Sequence, residues 1–424
     1  MAQIQNLRDV VEWGLCIGCG ACAYACEQGA VRLVHHRSTG IRPEFIDVGC
    51  GDCSSCLPIC PGHGVNADTV VQNRPRRTFS DHEFGPVLEI WEGHASDPEI
   101  RSRGSSGGAL TALAAYALEC EGAGFVVHSE MDPNAPTRNR TCRSSSRQEL
   151  MSRAGSRYAP SSPCEGLGWI EEGEGRAVFI GKPCDVAAAQ EARVRNRKLD
   201  EKLGLVLTFF CAGTPSEQGT FDLISSLGVD PEEVTELHYR GAGWPGRFQV
   251  STDRASPAAS MSYRESWGSL TGYRSLRCHL CVDGLGRMAD ISCGDGWHMY
   301  GEAESTGRDG AENTGWSLLL VNTERGREVV KGAIEAGYLS VAPSNADSVF
   351  DAQPLLERRR VVFGRLLALR ALLIPVPKYK GFSLLRGFWH LSFEAKLRSV
   401  VGTMWRAVKR GWWRRRTLPG AKCE

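Results

Sequence analysis

Residues 16–26 read CIGCGACAYAC and residues 50–61 read CGDCSSCLPICP. Both runs have the spacing C-x2-C-x2-C-x3-C, formed by Cys16, Cys19, Cys22 and Cys26 in the first and Cys50, Cys53, Cys56 and Cys60 in the second. Three thiolates at two-residue intervals can wrap one iron–sulfur cubane, while the fourth lies beyond its reach and is presented to a neighbouring cubane. The doubled run therefore predicts two [4Fe–4S] clusters with exchanged fourth ligands. Cys16, Cys19, Cys22 and Cys60 would hold one, and Cys50, Cys53, Cys56 and Cys26 the other. Gly18 and Gly20 let the first loop curl with its N–H groups toward sulfur, and such hydrogen bonds raise a cluster's potential. The first run has Glu27 where the second has Pro61, a minor departure.

The alternatives to iron are weaker. Tetrahedral zinc sites generally use two separated C-x2-C pairs, whereas here eight of the 17 cysteines fall within 45 residues. Disulfides belong to oxidising compartments. The first residues carry Arg8 and Asp9 with no apolar leader, and no stretch reaches the roughly 18 apolar residues of a membrane span. A cytoplasmic protein is expected, with clustered thiols binding metal.

At 424 residues, the chain is too long for one ordinary core. Residues 1–75 are Gly- and Cys-rich with few long apolar runs, as expected where clusters replace a hydrophobic core. A polar stretch around Pro75 suits a linker. From 82 to 365 helical and strand signals alternate: GGALTALAAYALE (107–119) and EVVKGAIEAG (328–337) read as helices, AVFI (177–180) and LGLVLTFF (203–210) as strands. The expected fold is a multidomain α+β chain. It has a small ferredoxin-like 2[4Fe–4S] domain, a larger mixed α/β core that binds flavin and a cluster, and a basic helical tail over 366–424.

The net charge of +1 hides an asymmetry, because residues 378–424 hold twelve Lys/Arg against two Glu. Within 391–410, Leu397, Val400, Val401, Met404, Trp405 and Val408 fall on one helix face, with Ser399, Thr403, Arg406 and Arg410 opposite. Followed by GWWRRR (411–416), this basic amphipathic helix suits the surface of an anionic membrane, here the inner face of the cytoplasmic membrane. The competing reading is a helix docked on the body of the protein with its charges solvated. Nucleic acid is not expected as a partner, since no binding fold accompanies the charge.

Four further segments, SSGGALTALAAYAL (105–118), FIGKPCDVAA (179–188), FFCAG (209–213) and LRCHLCVDGLGRMADISCGDGW (276–297), stand in order along the core. With GSRYAP (155–160) and YRGAGWPGRF (239–248), they resemble the beta-subunit family of the hydrogenases and dehydrogenases of the deazaflavin coenzyme F420. That family also contains hydroxymethyl-chlorophyll reductases. The resemblance covers roughly residues 85–300 and implies an oxidoreductase with FAD and a further [4Fe–4S] cluster in the core. Such a protein passes electrons between a ferredoxin-type or other redox donor and a small organic substrate such as the deazaflavin. The rival reading is a non-catalytic electron-transfer subunit of a larger complex. The substrate itself is not fixed by these residues, because relatives differ in it.

Within the core, Cys278 and Cys281 form a C-x2-C pair, and Cys184 and Cys211 each follow a short apolar run. These four are the candidate ligands of a third cluster, with Cys293 as a rival. Cys120, Cys142, Cys164 and Cys423 read as ordinary thiols. The run containing Ser106, Gly107 and Gly108, with Thr111 in the helix that follows, could receive a flavin pyrophosphate on free N–H groups, though Ser and Gly also cap helices for structural reasons. Lys182, Arg240 and Arg274 are candidate anion contacts, and Asp290 and Asp295 candidate partners of ribityl hydroxyls or substrate. The competing reading of ADISCGDGW is a tight turn capped by Asp.

Overall fold

The computed structural model describes residues 3–46, 53–69, 79–81, 85–241, 243–297, 315–352 and 355–416. Cys50 and Cys423 lie outside them. In the N-terminal part, β1 (Val31–His36) and β2 (Gly40–Phe45) form an antiparallel hairpin, and β3 (Gly64–Asn66) follows the second cysteine run. A short antiparallel pair, β4 (Phe79–Asp81) and β5 (Gly85–Val87), leads into the core.

The core is built on a mixed eight-stranded sheet. Its strands are β6 (Glu89–Ala95), β7 (Phe125–Asp132), β8 (Ala135–Ser144), β9 (Ala177–Gly181) and β10 (Leu203–Phe209); then, after a separate antiparallel sheet of β11 (Val234–Gly241), β12 (Arg247–Thr252) and β13 (Ala255–Ser262), come β14 (Ile291–Asp295), β15 (Ser317–Val321) and β16 (Leu339–Pro343). The order across the large sheet is β16-β6-β15-β14-β10-β9-β7-β8. The four strands β7, β9, β10 and β14 run parallel. Strands covered on both faces read as unbroken apolar runs rather than alternating ones, which explains AVFIG in β9 and LGLVLTF in β10.

Helices Ala109–Glu119 and Glu324–Glu335 cover one face, where Ala112, Leu113, Ala115, Val329 and Val330 pack on Val126, Leu205, Ile291 and Leu319. Four alanines between 112 and 117 keep that helix thin and close to the sheet. On the other face, helix Pro183–Arg195 shares a core with Cys19, Ala21, Ile59 and Val65 of the N-terminal part.

The N-terminal part is thus packed into the body rather than tethered to it. Tyr24 Oη donates to Glu171 at 3.0 Å and accepts from Asn196 at 2.9 Å. His35 pairs with the buried Glu217 at 3.3 Å. From the tail, β17 (Lys378–Lys380) pairs in parallel with β3. The expected start of the tail at 366 falls inside helix Val362–Ala371. Val362, Leu366 and Leu369 of that helix pack into the N-terminal core with Leu7, Val10 and Leu57.

Candidate metal centres

The first cysteine run forms a loop that helix Ala21–Tyr24 closes. Gly18 has φ +74° and Gly20 φ +90°, a region that side-chain-bearing residues avoid. This turn aims Gly18 N–H at Cys16 Sγ, 3.4 Å away. Cys16, Cys19 and Cys22 are all buried. Burial, and then the neighbouring Cys19, Cys16, Cys60 and Cys56, hold the Cys22 thiol well above its ordinary value. Cys60 is raised by burial and then by Cys19 and Cys16. Cys16, Cys19, Cys22 and Cys60 are therefore neighbours, with Cys56 also near Cys22. Of the other expected set, Cys56 is buried and Cys26 packs against the same core, Cys26 Sγ accepting from Ala30 N–H at 3.2 Å. Cys53 stands half-exposed beside Ser55.

A second cage sits at the carboxyl edge of the parallel strands. Cys184 follows β9, Cys211 follows β10, and Cys278 and Cys281 flank the end of helix Leu276–His279. Open α/β sheets bind ligands at this edge, where successive strand ends leave a crevice. All four cysteines line one cavity of ≈ 310 Å³. Cys184 is held well above its ordinary value by burial and also feels Cys211 and Cys281, while burial and then Cys278 and Cys281 push Cys211 up to about 12. Gly213 N–H and Thr214 N–H point at Cys211 Sγ and Cys278 Sγ, each at 3.4 Å. Cys293 is elsewhere: it packs in the main apolar core with Leu319 and Ile291, raised to about 12 by burial alone. Among the described residues no three of His, Cys, Asp and Glu stand close enough to share one metal ion. Cys184, Cys211, Cys278 and Cys281 instead ring a cavity, and such thiols stay protonated until a metal displaces the protons.

Positive charge surrounds this second cage. Lys182 is buried, pairs with Asp185 at 2.8 Å and donates to Ser161 Oγ at 2.7 Å. Arg274 donates to Ala212 O at 2.8 Å. The tail adds Arg358, Arg365 and Arg410, while Asp283 is the acid among the described lining residues. Arg365 is pushed down to about 10 by burial and then by Arg406, Arg274 and Arg358. His279 falls to about 3 through burial and the same cations. A field this positive suits the negative charge of four thiolates on a cluster. Lys182 and Arg274, expected as anion contacts for flavin or substrate, line the same cavity as the four cysteines.

Arg277 joins the two cages. Its buried guanidinium donates from Nε and Nη2 to Pro61 O at 3.1 and 3.0 Å, next to Cys60 on one side and Cys278 on the other. Cys164 also belongs here, although isolated cysteines are usually ordinary thiols. It is fully buried, its N–H donates to Cys19 O at 2.9 Å, its thiol donates to Asp185 O at 3.3 Å, and its side chain is the leading cause that lowers the Cys19 thiol below its ordinary value. Neither role has a sequence signal beyond Arg277 adjoining a cysteine pair.

The remaining candidates divide between the two ends of β14. At its carboxyl end, Asp295 accepts from Arg240 Nη1 and Nη2 at 3.0 and 2.8 Å and from Trp244 Nε1 at 2.9 Å. Tyr263 and Trp297 stack beside them at 5.7 Å. Ser317, opposite Asp295 in register, donates from its hydroxyl to Ser106 O. At the start of the strand, Asp290 accepts from Val206 N–H at 2.8 Å and Thr323 Oγ1 at 2.6 Å. ADISCGDGW is thus a strand and not a turn. A rise of about 3.3 Å per residue separates the two residues by roughly 16 Å, and the bonds of Asp290 tie β14 to β10 and to the start of helix Glu324–Glu335.

Gly107 and Gly108 are packed against the protein itself. A Cβ on Gly107 would meet Ser317 Oγ at 2.8 Å, and one on Gly108 would meet Ile100 O at 2.5 Å. Likewise the ring against Gly294 is that of Phe210. Beside this turn, the Trp316 indole N–H is buried without a partner among the described residues.

Two models that describe the N-terminal and C-terminal parts of the coenzyme F420 hydrogenase/dehydrogenase beta subunit match residues 90–167 and 175–347, and a 4Fe–4S dicluster domain matches 15–65. The chain belongs to this beta-subunit family. Family members similar to it include the coenzyme F420 hydrogenase subunit beta of Methanosarcina barkeri, 25% identical over 62% of this chain and 85% of that protein. Another is the F420-dependent formate dehydrogenase 1 subunit beta of Methanococcus maripaludis, 28% identical over 61% of this chain and 62% of that protein. The coenzyme F420-dependent sulfite reductase of Methanocaldococcus jannaschii is 23% identical over 78% of this chain, which spans 47% of its length. Among solved structures, a chain of the F420-reducing [NiFe] hydrogenase complex of Methanosarcina barkeri shares the fold, with a TM-score of 0.52 and 20% identity over 68% of this chain and 96% of its own. The tail beyond residue 347 lies outside the matched family regions.

Proposed function

We propose that this chain is an iron–sulfur flavoprotein that passes electrons between a redox protein and a small organic substrate such as a deazaflavin coenzyme. The observation that carries this reading is the pair of cysteine cages joined through Arg277 and Pro61. Cys16, Cys19, Cys22 and Cys60 would hold one cubane and Cys184, Cys211, Cys278 and Cys281 another. A third would take Cys26, Cys53 and Cys56 with Cys50. Such clusters supply one-electron storage.

FAD would lie on the donors at the start of helix Ala109–Glu119, near Ser106, Thr111 and Trp316. Bound there, it would supply the exchange between single electrons and hydride-equivalent transfer. Arg240 and Asp295 would hold the aromatic shelf of Trp244, Tyr263 and Trp297 in place. Arg274, Lys182 and Arg277 would keep positive charge beside the core cage, which favours its more reduced and more negative state.

Because the relatives' names describe subunits, a second reading is an electron-transfer subunit without its own substrate site. Anaerobically purified full-length chain tests both. We expect about twelve iron atoms, three cubanes of four, FAD in the heat-released supernatant, and reduction of the deazaflavin by two electrons and two protons from a reduced donor. Full iron without turnover would favour the second reading. Stoichiometric zinc without labile sulfide would overturn both.

A further inference from the structure

The helix Phe393–Lys409 is docked the opposite way round from an ordinary surface helix. Amphipathic helices bury their apolar stripe, but this one buries Ser399, Thr403 and Ala407. Small side chains let it approach helix Val362–Ala371 closely: Ser399 Oγ donates to Val361 O at 2.8 Å, and a Cβ on Gly364 would come within 2.3 Å of that oxygen. The end is fastened by the buried Trp412, by Arg416 N–H to Glu12 O at 2.9 Å, and by Arg415 to Asp9 and Glu12 at 3.0 Å each. The helix is therefore held in a fixed orientation.

That orientation turns the apolar stripe outward. Phe393 is 81% exposed, Leu397 and Val401 52%, Trp405 60% and Val408 63%. Trp389 at 73% and Trp413 at 48% extend the patch at either end. Contiguous apolar surface of this kind marks a place of contact. Each tryptophan of this patch carries a cation on its ring: Lys396 over Trp389 at 5.2 Å, Lys409 over Trp405 at 4.7 Å and Arg414 over Trp413 at 4.3 Å. From Leu384 to Arg416 nine Lys/Arg stand against one acid, Glu394, which pairs with Arg398.

We propose that this outward face is a docking surface for an anionic lipid bilayer, on which the helix lies flat. Tryptophans with an apolar body and a polar edge sit at the headgroup level, and basic chains reach from there to lipid phosphates. The charge of the patch selects an anionic surface. No helix among the described residues is long and apolar enough to cross a membrane, so the contact is peripheral.

Co-sedimentation of the full-length, iron-loaded protein with vesicles of phosphatidylcholine, alone or mixed with phosphatidylglycerol, tests this. We expect strong binding to the mixed vesicles only, at least tenfold weaker when salt shortens the Debye length from its value of about 8 Å at physiological ionic strength. Leu397→Glu with Trp405→Glu should abolish binding at unchanged iron content, since both side chains point away from the fold; Lys396→Glu with Lys409→Glu should weaken it tenfold or more. Equal sedimentation of wild type and the apolar variant, or equal binding to both vesicles, would overturn the proposal. So would self-association that the apolar variant abolishes in a protein that ignores vesicles, which would assign the face to a second copy of the chain.

Discussion

The Arg277 guanidinium reaches from the core cysteine pair to Pro61 O, with bonds of 3.1 and 3.0 Å, and so connects the residue beside Cys278 to the residue beside Cys60. Its charge is also retained in burial: desolvation opposes it, but Tyr379, Cys281, Cys184 and Cys278 raise its pKa overall.

Replacing Arg277 by Met should keep an unbranched stem in the buried site while removing both bonds and the charge. We expect iron content to be unchanged and electron exchange between N-terminal and core iron to slow at least tenfold, followed by rapid-freeze spectroscopy. A buried carbonyl left without its donor costs about 1–3 kcal/mol, so a lower melting temperature should accompany it. Unchanged exchange would place the route elsewhere.

Cys164 should act on the first cage without being its ligand. In Cys164→Ala the Cys19 sulfur loses the neighbouring thiol that favours its charged form, and polar neighbours that stabilise negative charge on sulfur raise cluster potentials. The expected result is a full iron complement and a lower midpoint potential for one N-terminal cluster in a spectroscopic titration. Loss of four irons would make Cys164 a ligand instead.

These two residues mark where reading the sequence stops. The spacing in CIGCGACAYAC is a local constraint, so the cage of Cys16, Cys19, Cys22 and Cys60 could be anticipated from the chain alone. Cys184 and Cys278 meet only because β9, β10 and β14 lie side by side, an arrangement set by long-range strand pairing; the family resemblance brought them together in advance. The competing turn reading of ADISCGDGW fails, since a five-residue strand rich in Gly, Ser and Asp looks like a turn only until its partners β10 and β15 are known. In the tail, periodicity revealed the stripe of Leu397, Val401 and Trp405 but not its direction. That direction depends on Ser399 and Thr403 fitting against Gly364.

The Arg240–Asp295 pair yields a stability prediction. Both partners are largely shielded, with side chains 2% and 18% exposed; burial opposes the Arg240 charge, and Asp295 more than restores it. Removing one partner of such a pair strands the other, at about 3 kcal/mol. Asp295→Asn should therefore lower the melting temperature by several degrees while FAD is retained. Loss of FAD at an unchanged melting temperature would make the pair a direct cofactor contact.

His128 sets a pH dependence. It lies on β7 opposite Cys142, with its Nε2 2.8 Å from Ser144 Oγ. Burial, and then the charge of Arg153, depress its pKa to about 4, against roughly 6.5 in an unfolded chain. Above pH 6.5 the ring is neutral in both states and contributes no pH dependence. Between about 6.5 and 4 the unfolded chain takes up a proton that the fold refuses, so stability falls as pH falls, by up to about 1.4 kcal/mol per unit. Below pH 4 both states are protonated and the slope ends. The total loss is on the order of 3 kcal/mol. His128→Gln has no titrating ring and should lose stability less steeply over this window. Urea unfolding of the two proteins at pH 7.5, 6 and 5 measures the difference, which cancels any acid sensitivity they share through the clusters. Parallel curves would mean that the folded protein accommodates the protonated ring.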